Sequence, residues 1–186
     1  LAEALNLPEP AYTTQVEALV DVEQWMRAFA YRHVVGDWDA FGYRRGKNMY
    51  LYKPTHGKWQ MYDWDVAFAF GLGDGPTANL FDAAHFDGSI DTVSERMYNH
   101  PPFRRSYLRA LHDAVNGPLL STSVGPVIDA KYDALKANGV NVSKPDSIKT
   151  WIGNRRTYIA KYLATNTALF AITSNDGQGY VVSSGR

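Results

Sequence analysis

The chain has no cysteine among its 186 residues, which excludes disulfides, thiolate zinc sites and a cysteine nucleophile but leaves the compartment open. Nor does it carry an excess of either charge. Its 19 Lys plus Arg balance 19 Asp plus Glu, so no overall field steers it to nucleic acid or an anionic membrane surface. No apolar run approaches the roughly 20 residues of a membrane span, so no span is expected. The first residues, Leu1-Ala2-Glu3, show neither a signal peptide nor an initiating methionine, and the chain reads as part of a longer one. Its length suits a single domain with a real apolar core.

What is present begins with an amphipathic pattern over 21–35. Val22, Trp25, Met26, Phe29, Ala30 and His33-Val34 recur at three-to-four spacing, the signature of a helix with one apolar face. Asp21 is placed to cap it, with Gln24 completing a capping-box-like pair. The helix runs into Gly36-Asp37-Trp38-Asp39, where glycine and short acidic residues stop it and open a loop. After the basic stretch around Arg44, Arg45 and Lys47, the run 48–53 alternates as a strand. It turns at Pro54-Thr55-His56-Gly57, and 58–62 returns antiparallel. Residues equidistant from a hairpin turn face each other, so Asn48 is expected to lie close to Asp63 and Asp65.

The stretch 71–99 is glycine-rich and poorly periodic, and is expected to be a mobile, functional or lid-like loop with short local structure. Helices are predicted over 102–116, 124–138 and 147–165, with Pro or Gly at their edges. The tail 171–186 turns to Ser, Gly, Asn and alternating valines. It is expected to be a strand and linker leading to another module, which divides the chain into a domain over 1–170 and a connector over 171–186.

Asp37, Asp39, Asn48, Asp63 and Asp65 form the constellation that carries chemistry. Oxygen donors of this kind suit a hard cation such as Mg²⁺, which takes one or two carboxylates alongside substrate phosphates. In phosphoryl transfer one aspartate orients the attacking hydroxyl while an asparagine and a second aspartate hold the metal. The chain order Asp, Asn, hairpin, Asp fits that division. Each residue also has a plainer reading: a turn aspartate is usually a cap or a solvated turn former, and Asn48 could cap its own strand. Arg44, Arg45 and Lys47 could contact phosphate or simply be solvated. Trp25 and Trp59 read as core rather than a sugar-binding platform. His33, on an apolar helical position, reads as a satisfied core residue before a general base, and Arg155-Arg156 as a solvated face. Gly71, Gly73 and Gly75 lack the spacing of a phosphate loop.

The segment GDWDAFGYRRGKNMYLYKPTHGKWQMYDWDVAF resembles the core motif of the CotH (spore coat protein H) family of atypical kinases. There a helix ends in an acidic turn, followed by Asn before an aromatic strand and a hairpin closing on Trp-Asp. The resemblance is strong over 19–70 and weaker through the later helices to 163. It implies an α+β fold like the large lobe of a protein kinase, with a β-hairpin carrying metal ligands and a helical carboxyl-terminal subdomain. It further implies Asp39 as the catalytic aspartate and Asn48 and Asp65 as metal and nucleotide ligands; beside it, the residues themselves offer Asp63 as a further metal ligand and Arg45 and Lys47 as nucleotide contacts. The implied cofactors are ATP with Mg²⁺ or Mn²⁺, and the implied substrate a protein hydroxyl. Two features depart from the pattern. Asp37 stands where relatives often have asparagine, and the spacing from Asp39 to Asn48 exceeds that of the protein-kinase catalytic loop. No strand lysine paired with a helix glutamate, and no glycine-rich phosphate loop, precedes Asp21, so an ATP-covering lobe is expected either upstream of residue 1 or lost. Relatives are linked to bacterial spore coats and to fungal attachment to host cells, which implies an extracytoplasmic bacterial surface location. It also keeps open a non-enzymatic adhesion or structural module on the same fold. A metal-dependent hydrolase is disfavoured, because no positioned histidine or second carboxylate cluster accompanies these residues.

Overall fold

The computed structural model of the protein describes residues 1–43 and 46–166. Seven helices and one hairpin follow in the order α1 (Ala2–Asn6), α2 (Ala11–Leu19), α3 (Val22–Val35), β1 (Met49–Tyr52), β2 (Gln60–Asp63), α4 (Thr92–Asn99), α5 (Pro101–Asn116), α6 (Ser121–Ala137) and α7 (Asp146–Thr165) among these residues. The result is an α+β arrangement in which a small two-stranded sheet sits against a helical body.

The body is organised by α3 and α5, which form the most extensive helix pair. Trp25, Met26 and Phe29 of α3 are buried, as are Phe103, Tyr107, Leu108 and Leu111 of α5. Both sets keep the three-to-four spacing that presents one apolar face. Burial of side chains this size contributes about 1.5–3 kcal/mol each, enough for the α3–α5 contact to dominate the core. Tyr12 and Val16 of α2 and Ile152, Ile159 and Leu163 of α7 join the same cluster.

The hairpin is antiparallel, with Met49 opposite Asp63 and Tyr52 opposite Gln60. It is fastened to α3 by main-chain mimicry. The Gln24 amide donates to Met61 O, and Met61 N donates to Gln24 Oε1 at 2.8 Å. Trp59 N donates to Leu19 O at 2.7 Å, and the Trp25 indole donates to Trp59 O at 3.1 Å.

The predicted helices over 21–35, 102–116, 124–138 and 147–165 and the hairpin are present within a few residues of those bounds. Local structure within 71–99 takes the form of α4, which Asp91 starts by accepting from Ser94 N at 2.7 Å. Other expectations are corrected. Asp21 caps α3 through Gln24 N at 3.2 Å, but the Gln24 side chain is spent on Met61 instead of closing a capping box. Arg155 is fully buried rather than solvated. Its guanidinium donates to His33 O at 2.6 and 3.1 Å, Pro76 O at 3.1 Å and Ala78 O at 2.7 Å. It thereby satisfies carbonyls at the end of α3 and in the following irregular segment, the backbone groups a helix terminus leaves open. Helices α1 and α2 had no counterpart in the sequence reading. The tail 171–186 lies outside the described residues. No helix among the described residues is long and apolar enough to cross a membrane.

Candidate functional site

The site begins where α3 ends. Gly36 adopts the left-handed conformation, φ 71°. Gly36 N reaches His33 O at 3.3 Å and Asp37 N reaches Arg32 O at 3.0 Å, the paired bonds of a Schellman termination. A β-carbon at Gly36 would stand 2.6 Å from the Trp151 ring of α7, so both backbone and packing require glycine. This tight exit points the chain inward, and Asp37 and Asp39 are both buried.

Asn48 opens the hairpin and Asp65 follows it. Its outer end is closed by Trp64 N donating to Asn48 O at 3.0 Å. The Asn48 amide nitrogen donates to Asp39 O at 2.6 Å and to Asp39 Oδ2 at 3.0 Å. Lys47 Nζ lies 2.8 Å from the same Asp39 oxygen. With its side-chain nitrogen committed to Asp39, Asn48 keeps its side-chain oxygen, Oδ1, as a donor a cation could use. Asp65 is exposed and makes no hydrogen bond or ion pair among the described residues. Both Asn48 and Asp65 have positive φ, 58° and 53°. A side-chain-bearing residue adopts that conformation at a cost and persists in it when its surroundings enforce it.

Arg32, from the last turn of α3, is the residue that sequence reasoning missed. Its buried guanidinium donates from Nη1 to Asp37 Oδ2, from Nε to Asp63 Oδ1 at 2.8 Å, and from Nη2 to the carbonyls of Asn48 and Trp64, each at 2.7 Å. A signal existed: Arg32 falls seven residues after Trp25 and three after Phe29, on the apolar stripe, where an arginine needs buried acceptors. Burial pushes the Asp37 and Asp63 carboxyls above the usual range, and the Arg32 cation pulls them back. His33 is the core residue it was expected to be. Its ring sits between Phe29 O and Asp82 O at 3.0 and 3.3 Å, and burial drives its pKa down to about 4.

The structure thus brings together Asp39, Lys47 and Asn48 through direct contacts, with Asp63 and Asp65 on the returning strand at the same open end of the hairpin. Arg45 lies outside the described residues. No group of three or more His, Asp or Glu that could hold a metal occurs among the described residues. The donor set is instead one amide oxygen and one unpartnered carboxylate. Such a set fits a cation that takes few protein ligands and draws its remaining oxygens from phosphate and water.

Comparison with known proteins gives this geometry a family. The family described as "CotH kinase protein" matches residues 1–159. The chain belongs to the CotH kinase family. A CotH relative, the inner spore coat protein H of Bacillus subtilis (strain 168), is 24% identical over 171 residues, covering 86% of this chain and 46% of the relative. The chain therefore spans less than half the length of that CotH protein.

Proposed function

We propose that this chain is the metal-binding and catalytic portion of an ATP-dependent kinase that phosphorylates protein Ser or Thr hydroxyls at a bacterial spore surface. The observation that carries the reading is the link from Asp39 Oδ2 to the Asn48 amide at 3.0 Å, continued through the Trp64–Asn48 hydrogen bond to the start of Asp65. Asp39 and Asn48, separated in sequence and of the types phosphoryl transfer requires, are joined side chain to side chain, and the residue before Asp65 is bonded to the Asn48 backbone. Asp39 orients the acceptor hydroxyl and takes its proton as the oxygen bonds to the γ-phosphorus and the bridging P–O bond to ADP breaks. Asn48 and Asp65 hold Mg²⁺ or Mn²⁺ on the nucleotide, which supplies charge neutralisation at the phosphates. Lys47, and Arg45 from the same loop, contact phosphate. Asp63 supports this site from its bond to Arg32. An ATP-covering half, with further domains, comes from sequence beyond this chain.

A second reading keeps the fold as a non-enzymatic surface or adhesion module. The exposed aromatic face of the hairpin, with Tyr50, Tyr52 and Trp64 each more than half exposed, favours it, because exposed apolar patches commonly mark interaction sites. The two are separated by Mg²⁺- or Mn²⁺-dependent transfer of label from ATP to a generic acceptor. The full-length protein is assayed beside folded Asp39→Ala and Asp65→Ala variants. Labelling lost in both variants supports the kinase; a folded wild type with neither labelling nor metal-dependent nucleotide binding supports the surface module.

A further inference from the structure

We infer that Arg32 is a positioning residue for the metal site, setting the distance between the two ligand-bearing segments, a role that rests on the kinase reading. Its Nη2 donates at 2.7 Å to the carbonyls of both Asn48 and Trp64. The first belongs to one proposed ligand, and the second to the peptide that leads directly into the other. Asn48 and Asp65 are also two of the three non-glycine residues with positive φ among the described residues. Enforced backbone at both ligand positions, pinned by one nitrogen, is the arrangement expected where a cation needs its donors held ready.

The remaining donors of Arg32 explain why it must be arginine. Nε holds Asp63 at 2.8 Å and Nη1 holds Asp37, so the guanidinium plane is fixed from three sides. A lysine ammonium is a single point and cannot span two carbonyls and two carboxylates at once. Asp63 then acts through Arg32: its Oδ1 fixes Nε, and the plane so fixed carries the Asn48 and Trp64 peptides. The guanidinium is buried, and its acceptors come from the α3 exit and from both strands at the open end of the hairpin. Displacement of the guanidinium would therefore move the metal ligands without touching the metal.

The test is direct Mn²⁺ uptake by the full-length protein with ATP, read from the loss of the free-ion electron paramagnetic resonance signal, which does not depend on turnover. Loss of an outer positioning group typically costs 10- to 100-fold in metal affinity. Arg32→Lys is expected to raise half-saturating Mn²⁺ about tenfold or more, while kcat at saturating metal falls far less. Should Arg32→Lys not fold, Asp63→Ala and Asp63→Asn decide. Alanine leaves Nε without its acceptor and raises half-saturating Mn²⁺. Asparagine keeps an oxygen there and restores most of the affinity. A folded Arg32→Lys protein with wild-type Mn²⁺ affinity overturns the inference while leaving the kinase reading intact. So does equal weakening by Asn and Ala at position 63, since it would make the Asp63 charge itself the metal's partner. A wild type that takes up no Mn²⁺ with ATP overturns the kinase reading and this role with it.

Discussion

Lys47 Nζ and Asp39 Oδ2 lie 2.8 Å apart, the lysine half exposed and the aspartate buried. The pair joins solvent to the base of the loop, and the same oxygen also accepts from Asn48. Because the Lys47 chain is largely in water, its pair with Asp39 adds little to folding, under about 1 kcal/mol. A cation beside transferring phosphate counts for much more. Lys47→Met is expected to leave the urea midpoint nearly unchanged and to lower phosphotransfer on the order of a hundredfold. Side-by-side denaturation and labelling of the variant check this, and a large stability loss with unaltered activity would refute it.

Gly36→Ala tests the exit from α3. A β-carbon at φ 71° costs about 1–2 kcal/mol, and pressing it against Trp151 at 2.6 Å adds about 1–3 kcal/mol of overpacking. Equilibrium unfolding in urea should register a loss of at least about 2 kcal/mol.

Arg155→Met removes the donor that serves His33 O, Pro76 O and Ala78 O. His33 O keeps its bond from Gly36 N, but the Pro76 and Ala78 carbonyls lose their donor at about 1–3 kcal/mol each, so a loss of about 2 kcal/mol or more is expected. Amide exchange of residues 36–39 should quicken more than that of α5, because the end of α3 that carries them loses its brace.

His33 governs part of the acid stability. Its folded pKa, about 4, lies below the ordinary value of 6.5 because the ring is buried. The unfolded chain therefore binds the proton more readily. The stability this neutral histidine allows is fully present above pH 6.5 and is lost as pH falls from there to about 4. The loss amounts to roughly 3 kcal/mol. The raised carboxyls of Asp37 and Asp63 act in the opposite sense: their folded forms bind protons more readily, which favours folding as pH drops. The difference between wild type and His33→Gln isolates the histidine. Between pH 6.5 and 4 the stability of the variant should fall less steeply; parallel curves would contradict the burial effect.

The helical body and the hairpin were legible because periodic apolar residues and punctuating Gly, Pro and Asp act locally. Trp25 and Phe29 mark the face of α3, Gly36 its end and Pro54 with Gly57 the turn. The proximity of Asn48 to the far end of the hairpin followed from antiparallel pairing alone, and Trp64 N on Asn48 O bears it out. Helix α4 was hidden by the glycine-rich stretch before it, although Asp91 three residues before Ser94 was a usable cap signal.

By itself the sequence determined the hairpin and the order of α3, α5, α6 and α7 around it, the family motif and the residue types available for chemistry, since each depends on neighbours along the chain. Only the tertiary structure decided how the charges are used. Arg32 and Arg155 both fall on the apolar stripes of their helices, which hints at burial but does not say which groups would accept from a buried guanidinium. Their burial is compensated by acceptors 5 to 32 residues away for Arg32 and by partners as far as 122 residues away for Arg155. A buried cation is tolerable only where such acceptors converge. That convergence is a property of the packed chain, and at Arg32 it assembles the site.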